Sequence, residues 1–245
     1  MERERDTRLG CRTVSRLVCL LGLVIVLLVA STSTSPASLS SPTGSEQSQI
    51  DTRITSLLSG IPEHGNILGK WKAPVTLVWF GDLQCPICAE FAQGAFPDLV
   101  KRWVRAGKLR MEYRSLQTAT LSPTEFRRQQ SAALAAGRQD LMWYFVELFY
   151  YEEGEQGSGY ATEAYLDGLA SQVPGLDLAA WLSDRRNPGY VKQIQRDERA
   201  AAKEGFQGTP SFLIGRTGTR LKTLDVESLT DPRFFDGAIK ALLRS

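Results

Sequence analysis

A pair of cysteines stands where a predicted buried strand gives way to a predicted helix, and this junction restricts the folds open to the chain. The strand is indicated by the apolar, β-branched and aromatic run from Ala73 to Phe80. Free N–H groups and the positive dipole end of a helix stabilise an anion, so the junction favours a thiolate. The helix is indicated by apolar residues at helical spacing, which are Phe91, Ala95, Leu99 and Trp103.

The formal net charge of +2 comes from the start of the chain. Residues 1–16 carry five of the 29 basic residues and three of the 27 acidic ones, so the remainder is balanced. A balanced chain gives no electrostatic reason to expect nucleic acid as a partner. The 245 residues suffice for one domain with an insertion or for two small domains.

The first part of the chain has the composition of a targeting or membrane segment. Residues 1–16 are polar and arginine-rich, and are predicted to remain in the cytoplasm; an uncharged apolar run follows from Leu17 to Ala30. We interpret residues 17–33 as a signal anchor or a signal peptide, with a buried core helix as the remaining alternative. Residues 34–60, rich in Ser, Thr and Pro, are predicted to form a flexible tether, with a weak helical pattern over Ile50–Leu58. An anchor or a signal peptide would place residues 61–245 outside the cytoplasm, where disulfides persist.

The rest of the chain predicts a βαβ unit, a block of helices and a ββα unit. Alternation over Leu109–Leu116 predicts a second strand, parallel to the first because one helix connects them. Helical patterns punctuated by Pro and Gly predict a helical insertion over residues 122–205. Two strands, Ser211–Gly215 and Arg220–Leu224, flank a turn before a last helix over Asp231–Leu243. The insertion helices are predicted at Thr124–Ala136, Gln139–Tyr151, Thr162–Gln172, Leu178–Arg185 and Pro188–Glu204.

Two motifs carry a resemblance to a known family. With the stretch Asp82-Leu83-Gln84-Cys85-Pro86-Ile87-Cys88 after the strand, and Gly208-Thr209-Pro210-Ser211-Phe212 far downstream, the sequence resembles the DsbA-like thiol–disulfide oxidoreductases of the thioredoxin superfamily. The resemblance covers residues 68–243. It implies an α/β, thioredoxin-like fold with a helical insertion between the βαβ and ββα halves. It also implies an enzyme without a small-molecule cofactor, because the reaction exchanges disulfides directly.

The two cysteines are the expected redox-active disulfide. Cys85, at the start of the helix, is the expected nucleophile, and Cys88 is expected to resolve the mixed disulfide formed with a substrate. A purely structural disulfide and half of a metal site are the alternatives. Zinc needs about four ligands, and the region after the leader offers only His64 besides these cysteines, so no metal is expected.

Pro86, Ile87 and Asp82 are expected to tune the redox properties of the pair. Many strongly oxidising DsbA-like proteins have Pro-His between the cysteines, and Ile87 supplies no cation to stabilise a thiolate. We therefore expect Cys85 to be less acidic, and its disulfide less oxidising, than in those relatives. The family often places a buried acid six residues before the nucleophile, where this chain has Trp79. Asp82 or water could take over proton transfer, and Asp82 could equally be a hydrogen-bond acceptor of the turn.

Thr209 and Pro210 are the expected substrate-binding residues. They resemble the cis-proline loop of the superfamily, which faces the two cysteines and pairs with the substrate peptide through its backbone. The cis assignment rests on the resemblance alone, because few X-Pro bonds in folded proteins are cis. An ordinary proline at the entry to a strand is the alternative.

The resemblance implies an extracytoplasmic oxidase, in the periplasm or at the cell surface, that acts on exported protein thiols. It further implies a membrane quinone-linked redox partner of the DsbB or vitamin K epoxide reductase type. A reductase or isomerase on the same scaffold is the first alternative. A non-catalytic peptide-binding or chaperone module is the second.

Overall fold

The computed structural model describes residues 44–244. The predictions for the arginine-rich start and the apolar run concern residues that lie outside this range. None of the helices between residues 44 and 244 combines the length and apolarity that crossing a bilayer requires.

A six-stranded mixed sheet forms the centre of the fold, in the order β1-β2-β4-β3-β5-β6. Strands β3 (Val75–Gly81) and β4 (Leu109–Ser115) are parallel, which confirms the predicted crossover. Strand β5 (Ser211–Arg216) pairs antiparallel with β3 and forms the predicted hairpin with β6 (Lys222–Thr223). All residues of β3 are buried, and alternate ones belong to two separate apolar clusters, so helices and loops cover both faces of the sheet.

A helix occupies much of the predicted tether. Helix α1 runs from Gly44 to Leu58, and its Ile54 and Leu57 are buried in the main core. The flexible-tether prediction is therefore wrong for residues 44–58, whereas the weak helical pattern over Ile50–Leu58 does belong to a helix, one face of which is buried. A short hairpin that the sequence analysis did not predict follows, with β1 at Glu63–His64 and β2 at Ile67–Leu68.

The helix after the cysteines is interrupted, contrary to the single helix that the apolar spacing predicts. Helix α2 (Pro86–Gln93) stops at Gly94, and α3 (Ala95–Leu99) continues into a π-helical segment, Val100–Val104. A Cβ atom on Gly94 would lie 2.6 Å from the Glu90 carbonyl oxygen. The Ala95 N–H donates to the Leu229 carbonyl oxygen at 3.0 Å, so a distant segment takes the donor that would have continued the helix.

Five helices stand between β4 and β5, which confirms the predicted insertion. Nearly every residue of α5 is buried, and its aromatic side chains share one core with Trp79 of the central strand. The insertion therefore packs directly against the cysteine-bearing half of the fold. The helices are α4 (Pro123–Gly137), α5 (Met142–Tyr151), α6 (Glu163–Gln172), α7 (Leu178–Asp184) and α8 (Pro188–Lys203), and α9 (Arg233–Arg244) ends the fold.

Candidate active site

Cys85 is the N-cap residue of α2. Its carbonyl oxygen accepts from the Cys88 N–H at 2.8 Å, and Pro86 occupies the first turn, where a missing N–H is tolerated. The side chain is 5% exposed. A hydrogen bond from the Cys88 side chain lowers the pKa of Cys85 to about 6; burial opposes this, and the Thr209 side chain and the N–H groups of Cys88 and Ile87 support it. Cys85 is therefore largely a thiolate at neutral pH.

Cys88 has the opposite environment. Its side chain is fully buried on the inner side of α2. Burial raises the pKa of the Cys88 thiol well above its ordinary value, and the hydrogen bond to Cys85 and the negative charge of Cys85 raise it further. The pair thus holds one thiolate at the start of α2, only 5% exposed, and one fully buried neutral thiol.

The loop before β5 brings Thr209 and Pro210 to Cys85. The Thr209–Pro210 peptide bond is cis, as the resemblance implies. The Cys85 sulfur atom lies 3.3 Å from the Thr209 carbonyl oxygen, to which it donates while it is protonated. The hydroxyl groups of Thr118 and Thr209 share a hydrogen bond, so the loop after β4 also holds Thr209 in place.

The Asp82 carboxylate is a fully buried acceptor that holds the loop after β4. One of its oxygens accepts from the N–H groups of Thr118, Ala119 and Thr120, each at 2.9 Å. The other accepts from the Gln84 N–H at 3.1 Å and from the Thr120 hydroxyl. Of the two roles open to Asp82 in the sequence, the structure shows the hydrogen-bond acceptor.

Aromatic side chains fill the space behind Cys88. Trp79, at the position where the family often has an acid, is fully buried, and its ring centroid lies 4.8 Å from that of Phe91. It stacks on Tyr150 at 5.6 Å and meets Tyr113 edge-on at 5.3 Å. Gly81 leaves room for this cluster, since a Cβ atom there would lie 2.8 Å from the Tyr113 ring.

A groove of about 540 Å³ lies beside Pro210 and reaches Ile87. Ile87 is 44% exposed although it is apolar, and it stands between the two cysteines. An exposed apolar side chain next to the predicted nucleophile, Cys85, offers a contact for a peptide. The other apolar residues along the groove are Phe206, Phe212, Leu224, Val226 and Leu229.

One titratable residue near the cysteines escaped the sequence analysis. Burial raises the pKa of Glu153 to about 7, and the charges of Cys85 and Asp82 add to the shift. Glu153 follows α5 and is separated from Cys85 in the sequence by β4, α4 and α5. The position of Glu153 relative to Cys85 depends on the conformation of the glycine-rich loop after α5, so no residue spacing in the sequence indicates this position.

A thioredoxin family model matches residues 63–230 of this chain. The probable disulfide bond formation protein D of Bacillus anthracis is 24% identical over 148 residues, which span 60% of this chain and 68% of that protein. A Na⁺/H⁺ antiporter NhaA of Herminiimonas arsenicoxydans is 29% identical over 171 residues, 69% of this chain. The matching part is only 25% of the antiporter.

Among solved structures, the oxidised form of BdbD from Bacillus subtilis superposes with a TM-score of 0.63. The superposition covers 77% of this chain and 99% of BdbD at 21% identity. At that identity the similarity establishes the shared fold, while the family match rests on the sequence.

Proposed function

Because this chain belongs to the thioredoxin family and is a DsbA-like thiol–disulfide oxidoreductase, we propose that it donates a Cys85–Cys88 disulfide to thiols of exported proteins. The observation that carries the proposal is the contrast between the two thiols. At pH 7, a thiol with a pKa of about 6 stabilises the reduced state by about 1.4 kcal/mol relative to an ordinary thiol. This stabilisation makes the disulfide more oxidising by about 30 mV.

The reaction begins when a substrate thiolate attacks the Cys85 sulfur atom of the disulfide. The Cys85–Cys88 bond breaks, a mixed disulfide forms at Cys85, and the Cys88 sulfur leaves and takes a proton because its burial disfavours the anion. A second substrate thiolate then attacks the substrate sulfur of the mixed disulfide. Cys85 leaves as a stable thiolate, the substrate gains a disulfide, and its two electrons remain on the cysteine pair.

Thr209 and Pro210 present the substrate to Cys85 in this proposal. The backbone before the cis bond lies against the nucleophile, and proline has no N–H that would compete with an incoming peptide strand. The groove beside them supplies apolar contacts. Asp82 acts indirectly, by fixing the loop that holds Thr209.

We place the reaction outside the cytoplasm, with the protein anchored in the membrane or secreted. The arginine-rich start and the apolar run from Leu17 to Ala30 support this placement. Reoxidation of the cysteine pair requires an electron acceptor, for which we propose a quinone-linked membrane protein of the DsbB or vitamin K epoxide reductase type. Reduction or isomerisation of disulfides is the alternative direction of the same exchange.

The proposal is tested with the oxidised protein and a reduced, unfolded substrate that contains two cysteines. We expect one substrate disulfide for each protein molecule, with simultaneous loss of the Cys85–Cys88 disulfide. The variant Cys85→Ala is the control and should transfer nothing. A wild-type protein that keeps its disulfide in this mixture, but reduces or reshuffles disulfides of an oxidised substrate, would establish the alternative direction.

A further inference from the structure

We propose that Glu153 takes up a proton when the cysteine pair is reduced, and so supplies from the loop after α5 the titratable group that strand β3 lacks at Trp79. The inference rests on thiol–disulfide exchange at Cys85 and Cys88, and is independent of the direction of electron flow. Glu153 acts on Cys85 through its charge, without contact.

One oxygen atom ties the end of α5 to the nucleophile. The backbone carbonyl of Asp82 accepts from the Cys85 N–H at 3.0 Å and from the Tyr150 hydroxyl at 3.2 Å. Glu153 follows Tyr150 by three residues. The start of this loop is therefore fixed relative to Cys85.

A second attachment fixes the other side of the loop. The Gln156 side chain donates to the Ala119 carbonyl oxygen at 3.1 Å, and the Ala119 N–H donates to the Asp82 carboxylate at 2.9 Å. Gly154 packs closely against the Tyr160 ring, since a Cβ atom at position 154 would be 2.5 Å from the ring. Glu153 is thus held, half-buried, between two points of attachment around Asp82.

The groups around Glu153 are mostly acidic. Cys85 and Asp82 act on it from the active site, and its own charge acts on Tyr160 and Tyr165 from the loop and α6. On the side of α1, Glu46 and Arg53 line the cleft that it shares with Glu152. With Asp82 and Glu152 nearby, a further negative charge on Cys85 makes proton binding to Glu153 more favourable.

Reduction of the cysteine pair by a substrate dithiol yields one proton that the two cysteines do not bind and that Glu153 can take up. A substrate dithiol that is oxidised gives up two electrons and two protons. Both electrons enter the cysteine pair, and one proton remains on Cys88. Because Cys85 stays a thiolate, the second proton has no place on the pair. The new negative charge on Cys85 draws it to Glu153.

The test compares the full chain with Glu153→Gln, Glu153→Asp and the control Glu155→Gln, whose side chain is exposed on the same loop. For each protein, the equilibrium with glutathione is measured between pH 6 and pH 8, and Cys85 is titrated by thiolate absorbance. In Glu153→Gln we expect a lower Cys85 pKa and an equilibrium constant for reduction by glutathione that rises by about tenfold per pH unit, because two glutathione thiols bring two protons, Cys88 keeps one and the other is released. The reduction potential of the pair itself should then fall by about 30 mV per pH unit, the slope for one proton taken up with two electrons.

In the wild type, Glu153→Asp and Glu155→Gln the equilibrium constant with glutathione should depend less steeply on pH, because the carboxyl group at position 153 keeps part of the proton that Glu153→Gln releases. A Glu153→Gln variant with the wild-type slope and the wild-type Cys85 pKa overturns the inference. So does a Glu153→Asp variant whose equilibrium constant depends on pH as steeply as that of Glu153→Gln, since the effect would then come from the loop and not from the charge. In either case, normal exchange of the wild type with glutathione would leave the assignment as a thiol–disulfide oxidoreductase intact. A wild-type cysteine pair that does not equilibrate with glutathione would instead contradict the proposed function on which the inference rests.

Discussion

The sulfur atom of Cys85 lies 3.3 Å from the carbonyl oxygen of Thr209, the residue joined to Pro210 by a cis peptide bond. The two residues are separated by 124 positions and by the whole helical insertion. A peptide that pairs with the backbone before Pro210 would therefore carry its own cysteine to the nucleophile. The exposed Ile87, two residues after Cys85, lines the groove beside Pro210.

Replacing Cys88 should trap the intermediate of the exchange. In Cys88→Ser, Cys85 can still form a mixed disulfide with a substrate, but residues 44–244 then hold no second thiol to release it. We expect stable mixed disulfides on non-reducing gels after incubation with an unfolded, disulfide-containing substrate. The double variant Cys85→Ser, Cys88→Ser should form none; trapping at Cys88 in a Cys85→Ser variant would contradict the assigned roles.

Placing a cation between the cysteines should make the disulfide more oxidising. In Ile87→His, the imidazolium would stand at the exposed start of α2 and stabilise the Cys85 thiolate. Each unit by which the Cys85 pKa falls should raise the reduction potential by about 30 mV at neutral pH. Equilibration with glutathione measures the change. Ile87→Gln, similar in size and uncharged, is the control and should leave the potential within a few millivolts of the wild type.

Adding one methyl group at Gly81 should destabilise the core behind Cys88. A Cβ atom there would lie 2.8 Å from the Tyr113 ring and 3.0 Å from its hydroxyl oxygen, inside a packed aromatic cluster. We expect Gly81→Ala to lower the free energy of unfolding by about 1–3 kcal/mol in urea denaturation. Gly168→Ala, on the helix α6, meets no atom within 4 Å and should raise it slightly. Equal effects of the two variants would argue against close packing at Gly81.

Glu147 should make the stability of the protein fall as pH rises. Its carboxyl group is fully buried in α5, neither oxygen has a hydrogen-bond partner among residues 44–244, and burial raises its pKa well above 4.5. A group whose pKa is higher in the folded state gives its full stabilisation below 4.5. That stabilisation is lost, by at most about 1.4 kcal/mol per pH unit, as pH rises toward the folded pKa.

The variant Glu147→Gln keeps the shape and removes the ionisation. Its free energy of unfolding should be close to that of the wild type at pH 4 and should exceed it at pH 8. Denaturation at both pH values, with the exposed Glu90→Gln as control, measures the difference. A Glu147→Gln variant that follows the wild type at both pH values would show that Glu147 reaches a partner or solvent.

Periodicity predicted those elements whose side chains face one fixed environment. Strand β3 is apolar on both faces because both are covered, and β4 alternates, so both could be recognised without knowledge of the fold. The break at Gly94 could not be predicted, because it depends on a hydrogen bond to Leu229, far along the chain. Helix α1 was missed as part of the fold because its weak apolar stripe gains stability only from packing.

The residues of the site also differ in whether a local sequence pattern can predict them. The nucleophile and its partner follow from Cys-X-X-Cys at a strand–helix junction, which is a local pattern. Asp82 could be an acceptor or a proton carrier until its contacts with Thr118, Ala119 and Thr120 were seen. The charge of Cys85 acts on Glu153 because the loop after α5 is attached at Tyr150 and Gln156 around Asp82, and such long-range attachments leave no signal in either loop.

The reduction potential of the Cys85–Cys88 couple tests the account most directly. A Cys85 pKa of about 6 lies between the values of about 7 for thioredoxin and about 3.5 for DsbA, whose potentials are about −270 mV and about −120 mV. The stabilisation of a thiolate at pH 7 follows from its pKa, and the difference in stabilisation from each reference protein converts to a difference in reduction potential. The conversion predicts a potential of about −250 mV when it starts from thioredoxin and of about −195 mV when it starts from DsbA. Equilibration of the oxidised protein with glutathione should give a value in this range. A value at or below about −270 mV would contradict disulfide donation and identify the protein as a reductant.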